Sequence, residues 1–233
     1  MDDAERHRVV LDALLSRRSL GPKHLREPAP ADADLRRMAE AALRAPDHAE
    51  LVPFRFAVVR GQAPRERLAE LFAAAARDAG KSDEQARLDA ERAVRPPVTV
   101  AVVARIDLGH PLVPAHEQWA AVGGAIANFL NAAHALGYAG KMLSGAKVRQ
   151  ARVVAAFCGP GETLAGWIVL GTPAGEGGGA ARKAAAGQVI GDWDGASGPE
   201  PSALPGRVQA PLAASGEDPD AAPRTAAGAQ AGR

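Results

Sequence analysis

The sequence predicts an α+β fold in which a small central sheet is wrapped by helices, one of them unusually buried. Segments with the composition of strands are few, at 54–59, 98–103 and 164–171. Apolar residues at helical spacing cover longer stretches around them. Because helices and strands do not alternate strictly, the pattern indicates α+β.

Six segments have a helical pattern: 5–15, 32–43, 64–80, 82–94, 116–137 and 148–157. Asp32 can cap the second of these helices, and Pro46 prevents it from continuing. Two stretches punctuated by glycine and proline are predicted to be irregular connections. One surrounds Gly21-Pro22, and the other runs from Tyr138 to Gly145.

The longest predicted helix, 116–137, is also the most apolar. One of its faces carries small residues, namely Ala120, Gly123, Gly124 and Ala127. This pattern is typical of a helix buried inside a domain or between two subunits. A membrane-spanning helix is the alternative, but polar side chains within the segment argue against it: Glu117, Asn128, Asn131 and His134.

Composition and charge exclude several classes of function. The chain of 233 residues has a formal net charge of +1, which suggests neither a nucleic-acid nor an acidic-membrane partner. Its single cysteine, Cys158, excludes an intrachain disulfide and a cysteine-rich metal site. The charged N-terminus has no signal-peptide pattern, so we expect a cytoplasmic protein. Residues 1–193 form the predicted domain, and residues 194–233 a disordered tail rich in Gly, Ala and Pro.

Common catalytic motifs are missing from the sequence. The six histidines show neither the i, i+4 spacing of a zinc-binding helix nor clustering with cysteine, so no metal site is predicted. The Gly-x-Ser-x-Gly elbow of hydrolases does not occur. Neither a Walker loop nor a Gly-x-Gly-x-x-Gly segment after a strand is present.

Two polar segments remain as candidate binding sites. The connection Arg44-Ala-Pro-Asp-His48 joins a helix to a strand, where Arg44 and His48 can point at a ligand. Alternatively, Asp47 and His48 satisfy backbone groups of the turn. The triplet Arg17-Arg18-Ser19 at the exit of the first helix can bind a phosphate through charge-assisted hydrogen bonds, or it is a solvated helix end.

The order of these segments resembles the FMN-dependent nitroreductase superfamily, and most closely its short bacterial NAD(P)H nitroreductases. Arg17-Arg18-Ser19 is followed by the Arg44–His48 connection and by Pro53-Phe-Arg-Phe56. The resemblance continues through Val113-Pro-Ala-His-Glu-Gln118, Gly137-Tyr-Ala-Gly140 and Leu170-Gly-Thr-Pro173. It covers residues 8–175, and the series of segments is specific although no single one is diagnostic.

The resemblance implies a nitroreductase-like sandwich, an obligate homodimer with FMN bound at the subunit interface by the 1–193 domain. By position, Arg17, Arg18 and Ser19 would hold the FMN phosphate and ribityl chain, and Arg44 and His48 would line the same flavin. A further segment would come from the other subunit: Lys141, Met142, Leu143 and Ser144. The nicotinamide nucleotide would lie near Ala133, His134, Ala135, Leu136, Gly137 and Tyr138.

The sequence departs from the resemblance at one of these segments. Relatives usually carry Trp-Arg-Ser where Met142, Leu143 and Ser144 stand. The change removes an aromatic ring and a cation from the implied flavin contact. Our hypothesis is that Lys141 supplies the missing charge.

The implied function is that of an oxidoreductase. NADH or NADPH would pass hydride through bound FMN to a nitro-aromatic compound, a quinone or a similar small acceptor in a ping-pong cycle, with no protein group acting as acid or base. One alternative is an FMN-binding carrier or sensor without efficient turnover. Another is a flavin-free interaction protein that works through its small-residue helix.

Overall fold

A computed structural model describes residues 2–175, 185–186, 189–190 and 195. The chain divides into two units, Met1–Ala180 and Ala181–Arg233, and the elements below belong to the first. Except for residue 195, the predicted tail at 194–233 lies outside the described residues.

The sheet is antiparallel and has its longest strand at the centre. Its strands are β1 (Leu25–Arg26), β2 (Phe54–Val59), β3 (Val98–Arg105), β4 (Ala139–Leu143) and β5 (Glu162–Pro173). On one side β5 pairs with β3, which in turn pairs with β2. On its other edge β5 pairs first with β4 and then, near its C-terminus, with β1.

Helices cover both faces of this sheet. They are α1 (Asp3–Ser16), α2 (Asp32–Ala42), α3 (Gln62–Asp78), α4 (Asp83–Ala93), α5 (Ala115–Ala135) and α6 (Ala151–Phe157). Short 3-10 turns occupy Pro22–His24, His48–Glu50 and Ala146–Arg149. The predicted α+β class with a small central sheet is therefore confirmed.

The core has two layers because side chains of β3 alternate between the two faces of the sheet. Val100 and Val102 lie in one cluster with Met38 of α2 and Phe129 of α5. On the opposite face, residues of β3 and β5 pack against α3 and α6, including Ala101, Val103, Trp167, Leu68, Phe72 and Val153. β3 is thus buried on both sides, as its uninterrupted apolar sequence predicts.

Two connections predicted to be irregular contain strands. β4 occupies Ala139–Leu143, and β1 occupies Leu25–Arg26. The glycine in β4 is required by close packing, since a Cβ at Gly140 would lie 2.6 Å from the carbonyl oxygen of Val169. The residue that indicated a loop in the sequence therefore allows β4 to pair with β5.

The predicted cap of α2 is wrong. Its N-cap is Ala31, whose backbone N–H donates to Oδ2 of Asp34 at 3.4 Å. Asp32 lies inside the first turn and forms an ion pair with Arg60 instead. The end of α2 at Ala42, before Pro46, agrees with the prediction.

Helix α5 buries a different face from the one carrying the small residues. Val122, Ala125, Phe129 and Ala133 are turned into the core. Ala120, Gly123 and Ala127 are exposed in the single chain. Gly124 of the same face is half-buried against Ala45, so only part of the small face is covered within the domain. Of the helices in the described part of the chain, none is long and apolar enough to cross a membrane.

Candidate functional site

The triplet Arg17-Arg18-Ser19 is held against β4 of the same chain. Helix α1 ends at Ser16, and Ser19 forms a parallel bridge with Gly140. The backbone N–H of Leu20 donates to the carbonyl oxygen of Gly140 at 3.1 Å. Leu20, the residue that follows the triplet, is buried and anchors the segment. We call the triplet together with β4 the triplet site.

The C-terminal end of α5 also contacts this segment. Gly137 has φ +86°, and the N–H groups of Gly137 and Tyr138 bond to the carbonyls of His134 and Ala133. This Schellman arrangement ends the helix and leads directly into β4. Nε2 of His134 lies 3.1 Å from Oγ of Ser16, which ties the last turn of α5 to the end of α1.

The segment implied to contact the nicotinamide nucleotide differs in exposure along its length. Ala133 is fully buried, and Leu136 packs against the core. Ala135 and Gly137 are exposed. The hydroxyl of Tyr138 donates to Oδ2 of Asp34 at 2.8 Å, and this hydrogen bond raises the pKa of Tyr138.

Two residues of β4 at which the sequence departs from the resemblance, Met142 and Leu143, pack inwards. Met142 packs against the α5 side of the core, and a Cβ at Gly166 would clash with its Cε. Leu143 contacts the clusters on the opposite face. Lys141 is half-buried and Ser144 is exposed. Neither apolar side chain can replace the hydrogen bonds of an arginine.

A second group of candidate residues, here called the loop site, spans Arg44 to Val52. Arg44 and His48 are both exposed. Asp47 accepts a hydrogen bond from the backbone N–H of Val52 at 2.7 Å, so this carboxylate satisfies the turn as one sequence alternative held. His48 does not share that role, because its Nδ1 lies 2.8 Å from Oε2 of Glu117 in the first turn of α5.

The backbone of the loop site is strained. Ala49, Glu50 and Val52 have φ values of 63°, 53° and 46°. These left-handed conformations are uncommon for residues other than glycine and are outliers for a β-branched residue such as Val52. The loop is packed closely on α5, since a Cβ at Gly124 would lie 3.1 Å from the Cβ of Ala45.

The strand that follows the loop site begins at an ion pair. Nε of Arg55 donates to Oε1 of Glu162 at 2.8 Å, and Nη2 donates to the carbonyl oxygen of Phe157 at 2.6 Å. The hydrogen bond from Arg55 is the main reason that the pKa of Glu162 falls to about 2. An open cavity of about 500 Å³ lies here, and Arg105 at its edge donates to the carbonyl oxygen of Val52 at 3.4 Å.

The family model of the nitroreductases matches residues 14–172, which include both candidate sites. The chain belongs to the nitroreductase family. YdjA of Escherichia coli strain K12, provisionally named an NAD(P)H nitroreductase, is 35% identical over 165 residues, covering 70% of this chain and 88% of that protein.

Solved structures share the nitroreductase fold. The nitroreductase-like protein of Bacillus cereus has a TM-score of 0.68 at 17% identity, covering 79% of this chain and 96% of that one. A protein of Desulfovibrio desulfuricans, provisionally named a nitroreductase and solved in complex with FMN, has a TM-score of 0.59 at 24% identity, with the same coverage of both chains. At these identities the likeness concerns the fold.

One contact within the chain bears on the implied nitroreductase arrangement. That the Lys141–Ser144 segment reaches the flavin from the other subunit stays a prediction. In the structure, the bridge between Ser19 and Gly140 joins this segment to the triplet within one chain. The loop site forms a hydrogen bond with α5 at Glu117, whereas Ser16, next to the triplet, contacts the helix at His134. Glu117 and His134 are about 25 Å apart along the helix at 1.5 Å per residue. Between them, Ala45 of the loop site packs near Gly124, and Gly140 of the triplet site packs near Leu130.

The described residues beyond these two sites add no metal centre. Among residues 2–175 and the few described after them, no group of three or more His, Cys, Asp or Glu side chains could hold a metal ion. Sequence reasoning missed Glu117 as a partner of His48 and Ser16 as a partner of His134. Both contacts join residues far apart in the chain, so no local pattern indicates them.

Proposed function

We propose that this protein is an FMN-dependent NAD(P)H oxidoreductase that reduces a nitro-aromatic compound, a quinone or a similar small acceptor. The observation that carries the proposal is the Arg17-Arg18-Ser19 triplet bridged to Gly140. Family membership and the relatives named as NAD(P)H nitroreductases support it. The FMN complex of the Desulfovibrio protein supports the choice of flavin.

The donors at the triplet site fit the phosphate and ribityl chain of FMN. Two guanidinium groups and a hydroxyl follow one another in an extended segment, and the backbone of Ser19 is fixed by β4. Guanidinium groups bind phosphate oxygens by paired, charge-assisted hydrogen bonds. Bound FMN would supply the two-electron chemistry, and the protein groups would bind and orient it.

The distance between the triplet site and the loop site supports a homodimer with FMN at its interface. Within one chain, His48 of the loop site and Ser16, which precedes the triplet, contact opposite ends of α5. A second copy packed in the opposite direction would bring its loop site beside the triplet site of the first. The exposed small face of α5 suits such packing. Helix α1 also suits it, because it buries no residue and exposes large apolar side chains: Val9, Val10, Leu11, Leu14 and Leu15.

The first test is the visible spectrum of the purified protein, with the released cofactor identified by mass. We expect about one FMN per subunit and oxidation of NADH or NADPH in the presence of nitro or quinone acceptors. The double variant Arg17→Ala/Arg18→Ala should lose at least about a hundredfold in FMN affinity, since each charged hydrogen bond contributes roughly 1.5–3 kcal/mol. A double variant that purifies with full flavin would overturn the phosphate assignment.

Mixed dimers test the subunit arrangement. One subunit carries Arg17→Ala/Arg18→Ala and the other carries His48→Ala, so one of the two composite sites is intact and the other has lost both halves. We expect one FMN per mixed dimer at wild-type affinity. If each chain contained a complete site of its own, both sites of the mixed dimer would instead be impaired.

A carrier or sensor that binds FMN without efficient turnover is the second candidate. It is favoured by Met142 and Leu143, which pack into the core where relatives present an aromatic ring and a cation. Stoichiometric flavin without NAD(P)H oxidation across a panel of acceptors would support this candidate. Cytoplasmic location and the division into a 1–193 domain and a tail remain predictions.

A further inference from the structure

The contact between His48 and Glu117 is the feature of the loop site that the sequence did not indicate. Nδ1 of His48 lies 2.8 Å from Oε2 of Glu117, across 69 positions of sequence. The side chains are 55% and 39% exposed, so packing in the core does not force them together. Glu117 lies in the first turn of α5, where the helix dipole favours a carboxylate.

The backbone around His48 has an unfavourable conformation, which contacts of Asp47 and Glu117 stabilise. Ala49, Glu50 and Val52 are left-handed, and Oδ2 of Asp47 binds the N–H of Val52. Backbone strain of this kind persists where surrounding contacts fix it, and it clusters at binding and active sites. Glu117 supplies the contact that fixes the histidine ring itself.

The chemistry of the pair determines which ring nitrogen meets a ligand. An ionised carboxylate accepts hydrogen bonds and donates none, so the proton in this contact is on Nδ1 of His48. The other nitrogen, Nε2, takes no part in this contact, and in a neutral ring it is an acceptor. A neutral His48 therefore suits a hydroxyl or N–H group of a ligand and does not suit a phosphate dianion, which offers no proton.

We propose that Glu117 is a positioning residue that holds His48 in its Nδ1–H form, with Nε2 directed at a hydrogen-bond donor of the bound flavin. The donor is a ribityl hydroxyl or a ring N–H, while Arg17 and Arg18 take the phosphate. This inference rests on the proposed function and assigns the contact that His48 makes within it. Carboxylates that orient metal-bound histidines act in the same way.

The direct test needs no flavin. Long-range proton–nitrogen NMR correlations of 15N-histidine distinguish the two ring forms in alkaline buffer, where imidazole is neutral, and the spectrum of His48→Asn assigns the signal. We expect the Nδ1–H form in the wild type. Glu117→Gln should keep it, because the amide oxygen can still accept from Nδ1, whereas Glu117→Ala should shift His48 towards the Nε2–H form that is usual in water.

FMN titration of the apoprotein then tests the consequence. We expect the Kd to rise about tenfold in Glu117→Ala, the lower end of the effect seen for carboxylates that orient metal-bound histidines. The Kd should stay near the wild-type value in Glu117→Gln. Glu84→Ala is the matched control, since it removes a carboxylate from the first turn of α4. Circular dichroism and the Tm of each variant confirm that it is folded.

Two results would overturn the inference. One is an Nε2–H form of His48 in the wild type. The other is an unchanged FMN affinity in folded Glu117→Ala. Failure of the proposed function looks different, because the wild type itself would then bind no FMN while the ring form of His48 could still be read from the NMR spectrum.

Discussion

Replacing Gly140 by alanine tests whether the close contact between β4 and β5 builds the triplet site. The added Cβ would lie 2.6 Å from the carbonyl oxygen of Val169, 2.8 Å from Cδ2 of Leu170 and 3.2 Å from Cδ2 of Leu130. The leucine side chains can rotate away. The carbonyl oxygen cannot, because it belongs to the backbone of the central strand. The two strands must therefore separate.

The expected cost follows from that geometry. Overpacking a core costs about 1–3 kcal/mol, and a clash with backbone belongs at the upper end. A loss of about 3 kcal/mol corresponds to a fall in Tm of about 6–12 °C for a domain of this size. Separation of the strands also displaces Ser19, which bridges to Gly140, so FMN affinity should fall in the same variant.

Gly145→Ala is the matched control in the same segment. A Cβ at Gly145 meets no atom within 4 Å, and its φ of −175° is extended backbone that any residue adopts. Thermal unfolding followed by circular dichroism, with FMN titration of both variants, measures the two effects. If Gly140→Ala melts within about 2 °C of the control, the close packing of β4 on β5 is refuted.

Two further variants test charges. Lys141→Ala should weaken FMN binding if this lysine replaces the missing arginine, and an unchanged Kd would refute that hypothesis. The other variant tests stability. Asp89 is 3% exposed and lies 3.0 Å from both Lys81 and Lys147, so Asp89→Asn should lower the free energy of unfolding by about 3 kcal/mol. Burial opposes ionisation of Asp89, but the hydrogen bonds from the two lysines outweigh it and lower its pKa. The free energy of unfolding of the wild type should therefore exceed that of the variant by the full amount above about pH 4, and this difference should shrink as the pH falls further. Urea unfolding across that pH range measures the difference.

The regular elements could be predicted because their patterns are local. The apolar run 98–103 could only be a buried strand, and Pro46 had to end α2. β4 could not be predicted from the same rules. In the sequence Gly140 indicates a turn, whereas in the structure it allows β4 to pack closely on β5. The exposed face of α5 illustrates a similar limit. Small residues indicate close packing but not which partner packs there.

The candidate site divides in the same way. The triplet could be singled out for its phosphate chemistry, and the order of segments gave it a family context. The role of Asp47 in the turn was among the predicted alternatives. The contact between His48 and Glu117 depends on how α2 and α5 pack, which local sequence does not encode.

Helix α5 explains why the two candidate sites must be considered together. Its last turn holds the end of α1 through His134, and its first turn holds the strained loop through Glu117. The length of the helix separates these contacts, while its exposed small face permits another helix to approach closely. A change that shortened or bent α5 would therefore move the loop site relative to the triplet site of a packed second copy without altering either site locally. Flavin affinity should then be lost although both donor sets are intact, which separates an interface site from a site contained in one chain.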